Sequence, residues 1–294
     1  MGMLEIRSDL LRAVRAFFYD RGFIEVETPV RIPFPALELN IDAEESGSAY
    51  LRTSPELHMK RMLVDGPPKI FQMGPCFRKG ERGNLHNPEY TMLEWYRTDA
   101  DYMDVLDDAK GLIEHVCECI KGREGLEYGG VEIDVSSDWE CVLIEEMFGR
   151  FAGWNPVSDY DADLFDEDMV HKIEPRLRRD RPVVLMDYPR EAAALARIRK
   201  EETPVAERWE LYIGGIELAN AFSELTDATE QRGRFEQCAC DRLKSGKDVY
   251  GIDEEFMSAM KEGLPRCAGV ALGIDRLTML MTGSSSIEDV RAFL

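Results

Sequence analysis

Apolar residues recur at helical spacing from Leu4 to Tyr19, where Ile6, Leu10, Val14 and Phe18, backed by Leu11 and Phe17, form one stripe and Gly22 follows as a stop signal. An amphipathic helix is predicted there. The next segment, FIEVETP from Phe23 to Pro29, alternates as a strand that its proline ends or confines to an edge. Residues 42–48, charged and containing Gly and Ser, read as a loop between strands. Further along, the pattern predicts a helix from about Glu56 to Val64, a strand at KIFQMG, a strand from Tyr90 onward and a helix over 101–121. The stretch from about Gly122 to Arg181 reads as a mostly helical insertion, and RPVVLMDYP as a buried strand. Strands dominate again from Arg208 to Thr226, and GVALGIDRLTML runs an apolar, glycine-punctuated strand into a helix beginning near Asp275 and Arg276. No internal repeat is visible. This order of elements predicts an α+β class, an antiparallel β-sheet flanked by helices.

Two stretches carry chemistry. In FRKGERGNLHNPEYTMLEWY, residues 77–96, period-two alternation puts Tyr90, Met92, Glu94 and Tyr96 on one face. A buried carboxylate is costly unless a cation pairs with it, so Glu94 beside Tyr96 is a candidate pocket for an ammonium group. A strand with one solvent face would carry the same residues. In RWELYIGGIELANAFSEL, residues 208–225, Gly214-Gly215 is a two-residue hairpin signal that pairs Ile213 with Ile216 and Tyr212 with Glu217. Glu210 then shares the face of Glu217 as a diagonal neighbour, at a Cβ separation of up to roughly 7 Å. Two unneutralised carboxylates there repel, and a hard divalent cation such as Mg2+ carrying substrate phosphates resolves the repulsion. Asn220, Phe222 and Glu224 again share a face at period two, and the odd offset from Glu217 to Asn220 requires a bulge or bend. Arg276, at a strand-to-helix junction, can stack on a planar base and meet phosphate oxygens, although a simple Asp-capped helix explains the same motif.

Composition narrows the class. The chain has 294 residues, 44% hydrophobic and 32% charged, with no unbroken apolar run of the length that spans a bilayer, so a soluble protein without a membrane partner is expected. The start, Met1-Gly2-Met3-Leu4-Glu5, lacks the pattern of a signal peptide. Seven cysteines, an odd count without zinc-site spacing, read as reduced thiols in a cytoplasmic protein. A net charge of −21 opposes nucleic-acid binding, although KIEPRLRRDR, from Lys172 to Arg181, is a local basic patch. Both that patch and the acidic run SDYDADLFDED read first as solvated surface.

Taken together, AFFYDRGFIEVETP, CFRKGERGNLHNPEYTMLEWY and GVALGIDR resemble the three signature motifs of class II aminoacyl-tRNA synthetases over nearly the whole chain. TSPELHMKR and GIELANAFSELTDA resemble the lysyl branch, and within it the paralogous family of elongation factor P lysine ligases. The resemblance implies a single catalytic domain over 1–294, a homodimer, and ATP-dependent activation of lysine or (R)-β-lysine as an adenylate. The acyl group would then pass to a lysine side chain of elongation factor P. It implies Arg78 at the ATP α-phosphate and the amino-acid carboxylate, His86 at the terminal phosphates with Asn87 beside it, and Tyr90 and Arg276 around adenine. It implies Mg2+ on Glu210 and Glu217, Glu56 at the α-amino group, and Asn220 at the carboxylate. Glu94, Tyr96 and Glu224 would meet the distal ammonium, with Ser54, Phe222 and Ala271 completing the amino-acid pocket. Ala271 stands where lysyl-tRNA synthetases usually have glycine, a difference expected to favour the β-isomer. Gly80 stands where the family places a glutamate that contacts adenine, and Glu81, one residue on, is the candidate substitute. The anticodon-binding barrel that precedes the catalytic domain in lysyl-tRNA synthetases has no counterpart before the first helix, so tRNA is not the expected acceptor. A truncated lysyl-tRNA synthetase and a non-catalytic, synthetase-like regulatory dimer are the rival readings.

Overall fold

The computed structural model describes residues 2–122, 125–199 and 204–293. Its first helix, α1 (Met3–Asp20), buries the predicted stripe through Leu10, Val14, Phe17 and Phe18. There follow β1 (Ile24–Glu25), β2 (Arg31–Ile32), β3 (Glu45–Ser46), β4 (Ala49–Leu51), α2 (Glu56–Leu63), β5 (Lys69–Phe77), β6 (Glu89–Thr98) and α3 (Tyr102–Lys121). The middle of the chain supplies β7 (Leu126–Tyr128), β8 (Val131–Ile133), β9 (Glu140–Leu143), α4 (Ile144–Phe151), α5 (Ala162–Asp168), β10 (Val183–Pro189) and β11 (Ile198–Arg199). The last part contains β12 (Val205–Ile213), β13 (Ile216–Ser223), α6 (Ala228–Lys244), α7 (Glu254–Gly263), β14 (Cys267–Gly273) and α8 (Ile274–Thr282).

The main sheet has the order β1-β5-β6-β14-β13-β12-β10-β9, with β11 paired to β12. From β5 to β10 every pairing is antiparallel, and only the outer strands β1 and β9 add in parallel. This is the α+β architecture that the element order predicts. One face of the sheet is apolar: Phe71, Trp95, Val270, Ala221 and Trp209 pack with Leu10 and Phe17 of α1, Leu112 of α3 and Leu277 of α8. Alternation then leaves the opposite face of the same strands free to carry polar side chains.

Two expectations are corrected. The strand expected over Phe23–Pro29 is ordered as strand only at Ile24–Glu25. Beyond it the chain leaves the sheet, because the buried Arg52 guanidinium donates to both the carbonyl and the hydroxyl of Thr28, at 3.0 and 2.9 Å. The insertion expected to be mostly helical, at about 122–181, begins with β structure instead: β7 and β8 form a hairpin, and β9 pairs with β10. Its helical part starts at Ile144, and residues 123 and 124 lie outside the described residues. The basic patch finds local acids, with Arg178 2.6 Å from Asp180. Among the described residues no helix is long and apolar enough to cross a membrane.

Candidate active site

The polar face of the sheet is organised in lateral rows. Gln72, Glu94, Ala271, Asn220 and Glu210 are consecutive neighbours across β5, β6, β14, β13 and β12. Two residues along, Ile70, Tyr96, Gly269, Phe222 and Arg208 form a second row. Directly paired residues project to one face, so both rows address the same space. Gly269 is required there: a Cβ at this position would lie 2.2 Å from the Tyr96 ring and 2.7 Å from Glu224 Oε1.

The β12–β13 hairpin follows its predicted register. Gly214 and Gly215 both take positive φ, +63° and +86°, as a tight primed turn demands. Ile213 pairs with Ile216 and Tyr212 with Glu217, but Leu211 pairs with Ala219, which leaves Leu218 as the extra residue of a bulge. That bulge lets Glu217 and Asn220 reach the same face. Glu210 accepts hydrogen bonds from Arg208 Nη2 at 2.6 Å and from the Tyr212 hydroxyl at 3.0 Å. Glu217 Oε2 lies 3.3 Å from Arg276 Nη1, which also donates to the Glu217 carbonyl at 2.7 Å. Tyr212 contacts a third acid, Glu174, at 3.3 Å. Burial raises the Glu174 pKa and the charges of Glu217 and Glu210 raise it further, against the hydrogen bond from Tyr212. A cavity of about 1470 Å³ opens here, lined by Glu38, Glu174, Arg208, Glu210, Tyr212 and Glu217 among others.

Arg78 follows β5, pinned by its backbone N–H to the Pro88 carbonyl at 2.9 Å. Its guanidinium stands 5.3 Å from the Tyr90 ring centre and 3.7 Å from Glu81. Burial opposes its charge, and the surroundings, Tyr90, Glu81, Glu38 and Glu217, outweigh that cost, so it stays protonated. Glu81 is therefore engaged with Arg78. Gly80 has a φ of +78°, a left-handed turn that disfavours a glutamate at this position. The Tyr90 hydroxyl donates to the Thr53 carbonyl at 2.9 Å, so the partners of Tyr90 here are Arg78 and Thr53. Arg276 is joined instead to His86, with Nη2 2.8 Å from Nε2. Because arginine only donates, that His86 nitrogen is the acceptor and the ring is neutral. Burial and the Arg276 charge both lower the His86 pKa and keep it so. Asn87 donates to the Glu89 carbonyl at 2.6 Å, at the exposed edge of the turn.

The expected ammonium pocket is buried. Glu94 accepts from Ser54 Oγ at 2.6 Å and from the Tyr96 hydroxyl at 2.8 Å. Burial and the neighbouring Glu56 push its pKa up to about 7, against those two hydrogen bonds and the Lys60 charge. Ser54 also accepts from the Glu56 N–H at 2.9 Å, which ties Glu94 to the start of α2. Glu224 is 1% exposed, ion-paired through Oε2 with Lys60, and its Oε1 has no hydrogen-bond partner among the described residues. Asn220 offers Oδ1 to Arg208 Nε at 3.2 Å. Its NH2 is thereby left to donate to a carboxylate.

Several site residues escaped the sequence reading. Lys60 lies four residues after Glu56 on α2 and pairs with it at 2.5 Å, a spacing that was available as a signal. Arg208, two residues before Glu210, holds Asn220, Glu210 and the Ala192 carbonyl at once. Gln72 and Glu38 gave no motif signal. The Gln72 side-chain oxygen is buried without a partner among the described residues, while burial raises the Glu38 pKa to about 7 against the pull of Arg78.

The family model for class II tRNA synthetases (D, K and N) matches residues 1–294. A relative from Hamiltonella defensa, named elongation factor P–(R)-β-lysine ligase, is 40% identical over 98% of this chain and 93% of its own. Proteins of the same name from Photorhabdus laumondii and Pectobacterium atrosepticum are 39% and 41% identical, with the same coverage. With the second and third of those signature stretches paired as β6 and β14, the first packed as α1 and β1 on the back and edge of the same sheet, and identity at this level across almost its full length, the chain belongs to the class II tRNA synthetase family, among the elongation factor P–(R)-β-lysine ligases.

Proposed function

We propose that this protein activates lysine or (R)-β-lysine with ATP and transfers the acyl group to a lysine side chain of translation elongation factor P. The row Glu94, Ala271, Asn220, Glu210 is the observation that carries this reading, because it sets an ammonium acceptor, a carboxylate donor and a phosphate-side acid in line across the sheet. In the first step the amino-acid carboxylate attacks the α-phosphorus and pyrophosphate leaves. In the second, the acceptor amine attacks the adenylate carbonyl, loses a proton, and AMP departs as the amide forms. Arg78, fixed in charge, would neutralise the crowded phosphate, and Asn220 would orient the attacking carboxylate. Neutral His86 and Arg276 would receive the terminal phosphates and the base. No protein nucleophile is needed.

Glu210 and Glu217 fit Mg2+ in donor chemistry: both are hard oxygen ligands whose charges reach the same third acid, Glu174, and each is at present paired with an arginine, Glu210 with Arg208 and Glu217 with Arg276, that the ion would compete with. Among the described residues no group of three His, Cys, Asp or Glu forms a metal site, so phosphate oxygens would complete the shell. When bound there, the ion would neutralise phosphate charge. Exposed Leu4, Tyr19 and Ile24 support a homodimer built on α1 and β1. The net charge of −21 supports a basic protein acceptor over tRNA, and seven free thiols support a cytoplasmic location. Intact-mass spectrometry of elongation factor P after incubation with this protein, Mg-ATP and each amino acid tests the reading. One added acyl group, with tRNA left uncharged, is expected, and charged tRNA beside unmodified factor would reject it.

A further inference from the structure

The acidic pocket contains a cation of its own. Lys60 Nζ is 1% exposed, pairs with Glu56 on its own helix and with Glu224 at the end of β13, and lies 5.4 Å from the Phe222 ring centre. Burial disfavours its charge, but Glu224 and then Glu56 more than restore it, so the ammonium is permanent. Glu94 of β6 faces the same space beside the neutral Tyr96. Cys267 of β14 also faces it and is held as a neutral thiol by burial and Glu224, against the charges of Lys60 and then Arg197. The groups that fix the local charge are therefore three carboxylates and one ammonium.

Resting on the function proposed above, we infer that Lys60 is a specificity-determining positioning residue of the amino-acid pocket. Its buried ammonium ion-pairs with Glu56 and Glu224, and Glu94 and Glu224, both pushed toward the protonated form by burial, are left as the acids that the ammonium groups of a diamino acid would meet and hold ionised. Three features make this more than a core ion pair. Lys60 bridges two acids that come from different elements and that both face the pocket. Its ion pair uses Glu224 Oε2, neither Glu224 oxygen has a hydrogen bond of good geometry among the described residues, and Oε1 faces the side where Gly269 lacks a side chain. A buried acceptor in that state calls for a donor from outside the chain, and a substrate ammonium is one that fits. Without Lys60, three carboxylates would crowd one buried space with no internal cation, and Glu94 and Glu224, already raised in pKa with Lys60 present, would be held protonated more firmly against binding an ammonium.

The test replaces the charge with a neutral chain of similar length, Lys60→Met, with Lys60→Gln as a second variant that retains an N–H donor for Glu224. ATP–pyrophosphate exchange is followed against lysine, (R)-β-lysine and ATP concentration, and against pH. The inference expects KM for the diamino acids to rise at least tenfold while KM for ATP changes less than twofold. It also expects the acidic limb of kcat/KM to move to higher pH by about one unit or more, since removing a cation makes the remaining acids harder to ionise. An unchanged diamino-acid KM with an unmoved acidic limb would overturn it. Loss of a cooperative melting transition in both variants would also overturn it, by assigning Lys60 to the stability of the fold. Absence of any diamino-acid-dependent exchange in the unsubstituted protein would instead reject the proposed function.

Discussion

Norleucine has the length of lysine without its distal ammonium, and the structure fixes how its rejection should vary with pH. An ionised buried carboxylate left without its cation costs about 3 kcal/mol or more, near a 150-fold discrimination. Glu94 has a way to avoid that cost, because burial and Glu56 hold its pKa at about 7. With norleucine bound it takes a proton. With lysine bound it must be ionised. Lysine therefore uses the ionised fraction of Glu94 and norleucine the protonated fraction, and the ratio of those fractions grows tenfold per pH unit. The sign follows from the raised pKa: selectivity for lysine is weak below about pH 7 and strengthens above it, until the substrate ammonium itself deprotonates. Between about pH 6.5 and 8.5 the ratio of kcat/KM for lysine to that for norleucine should rise by about 100-fold. ATP–pyrophosphate exchange at saturating Mg-ATP measures both values in one buffer series. Glu94→Gln should flatten the slope while leaving ATP use intact, because Glu94 is held by Ser54 and Tyr96 and not by a phosphate-side residue. A pH-independent ratio in the unsubstituted protein would refute the assignment of Glu94 to the distal ammonium.

Glu217→Gln should lower pyrophosphate exchange roughly tenfold or more and raise the Mg2+ concentration needed for half-maximal rate. The melting temperature should stay unchanged, since the Glu217 side chain is 41% exposed and Arg276 keeps its bond to the carbonyl. Ala271→Gly should raise activation of α-lysine relative to (R)-β-lysine, because the methyl group stands between Glu94 and Asn220, and an unchanged ratio would exclude it from isomer choice. Gly80→Glu should cost about 1–2 kcal/mol of stability in thermal unfolding, since the backbone there is left-handed at a φ of +78°. A variant as stable as the parent, with tighter ATP binding, would show that the turn accepts the family's glutamate.

What was legible in the sequence is what local geometry determines. The glycine pair at 214–215 sets the turn, the turn sets the register, and the odd offset from Glu217 to Asn220 then demands the bulge found at Leu218. Likewise period two alone puts Tyr90, Glu94 and Tyr96 on one side of β6. Where the outcome depends on a distant partner, the pattern was silent. The stretch 122–181 reads as mostly helical, and only pairing with β10 sets Glu140–Leu143 apart as strand from the helix that starts at Ile144. FIEVETP alternates over its whole length, but a guanidinium from Arg52 takes Thr28 out of the sheet.

Lys60 is the most consequential case of this kind. Its i,i+4 relation to Glu56 is local and visible, whereas its contact with Glu224 exists only because α2 packs beside the end of β13. A list of acids at motif positions gives three negative charges facing a substrate that brings two positive ones. The packed structure supplies the missing cation. Two sites with the same set of acids can therefore select ligands of different charge if a buried lysine is present in one and absent from the other, since selectivity follows the sum over the enclosed space. For the same reason a substitution at Lys60, which motif matching leaves unmarked, should change amino-acid selection as much as one at Glu94.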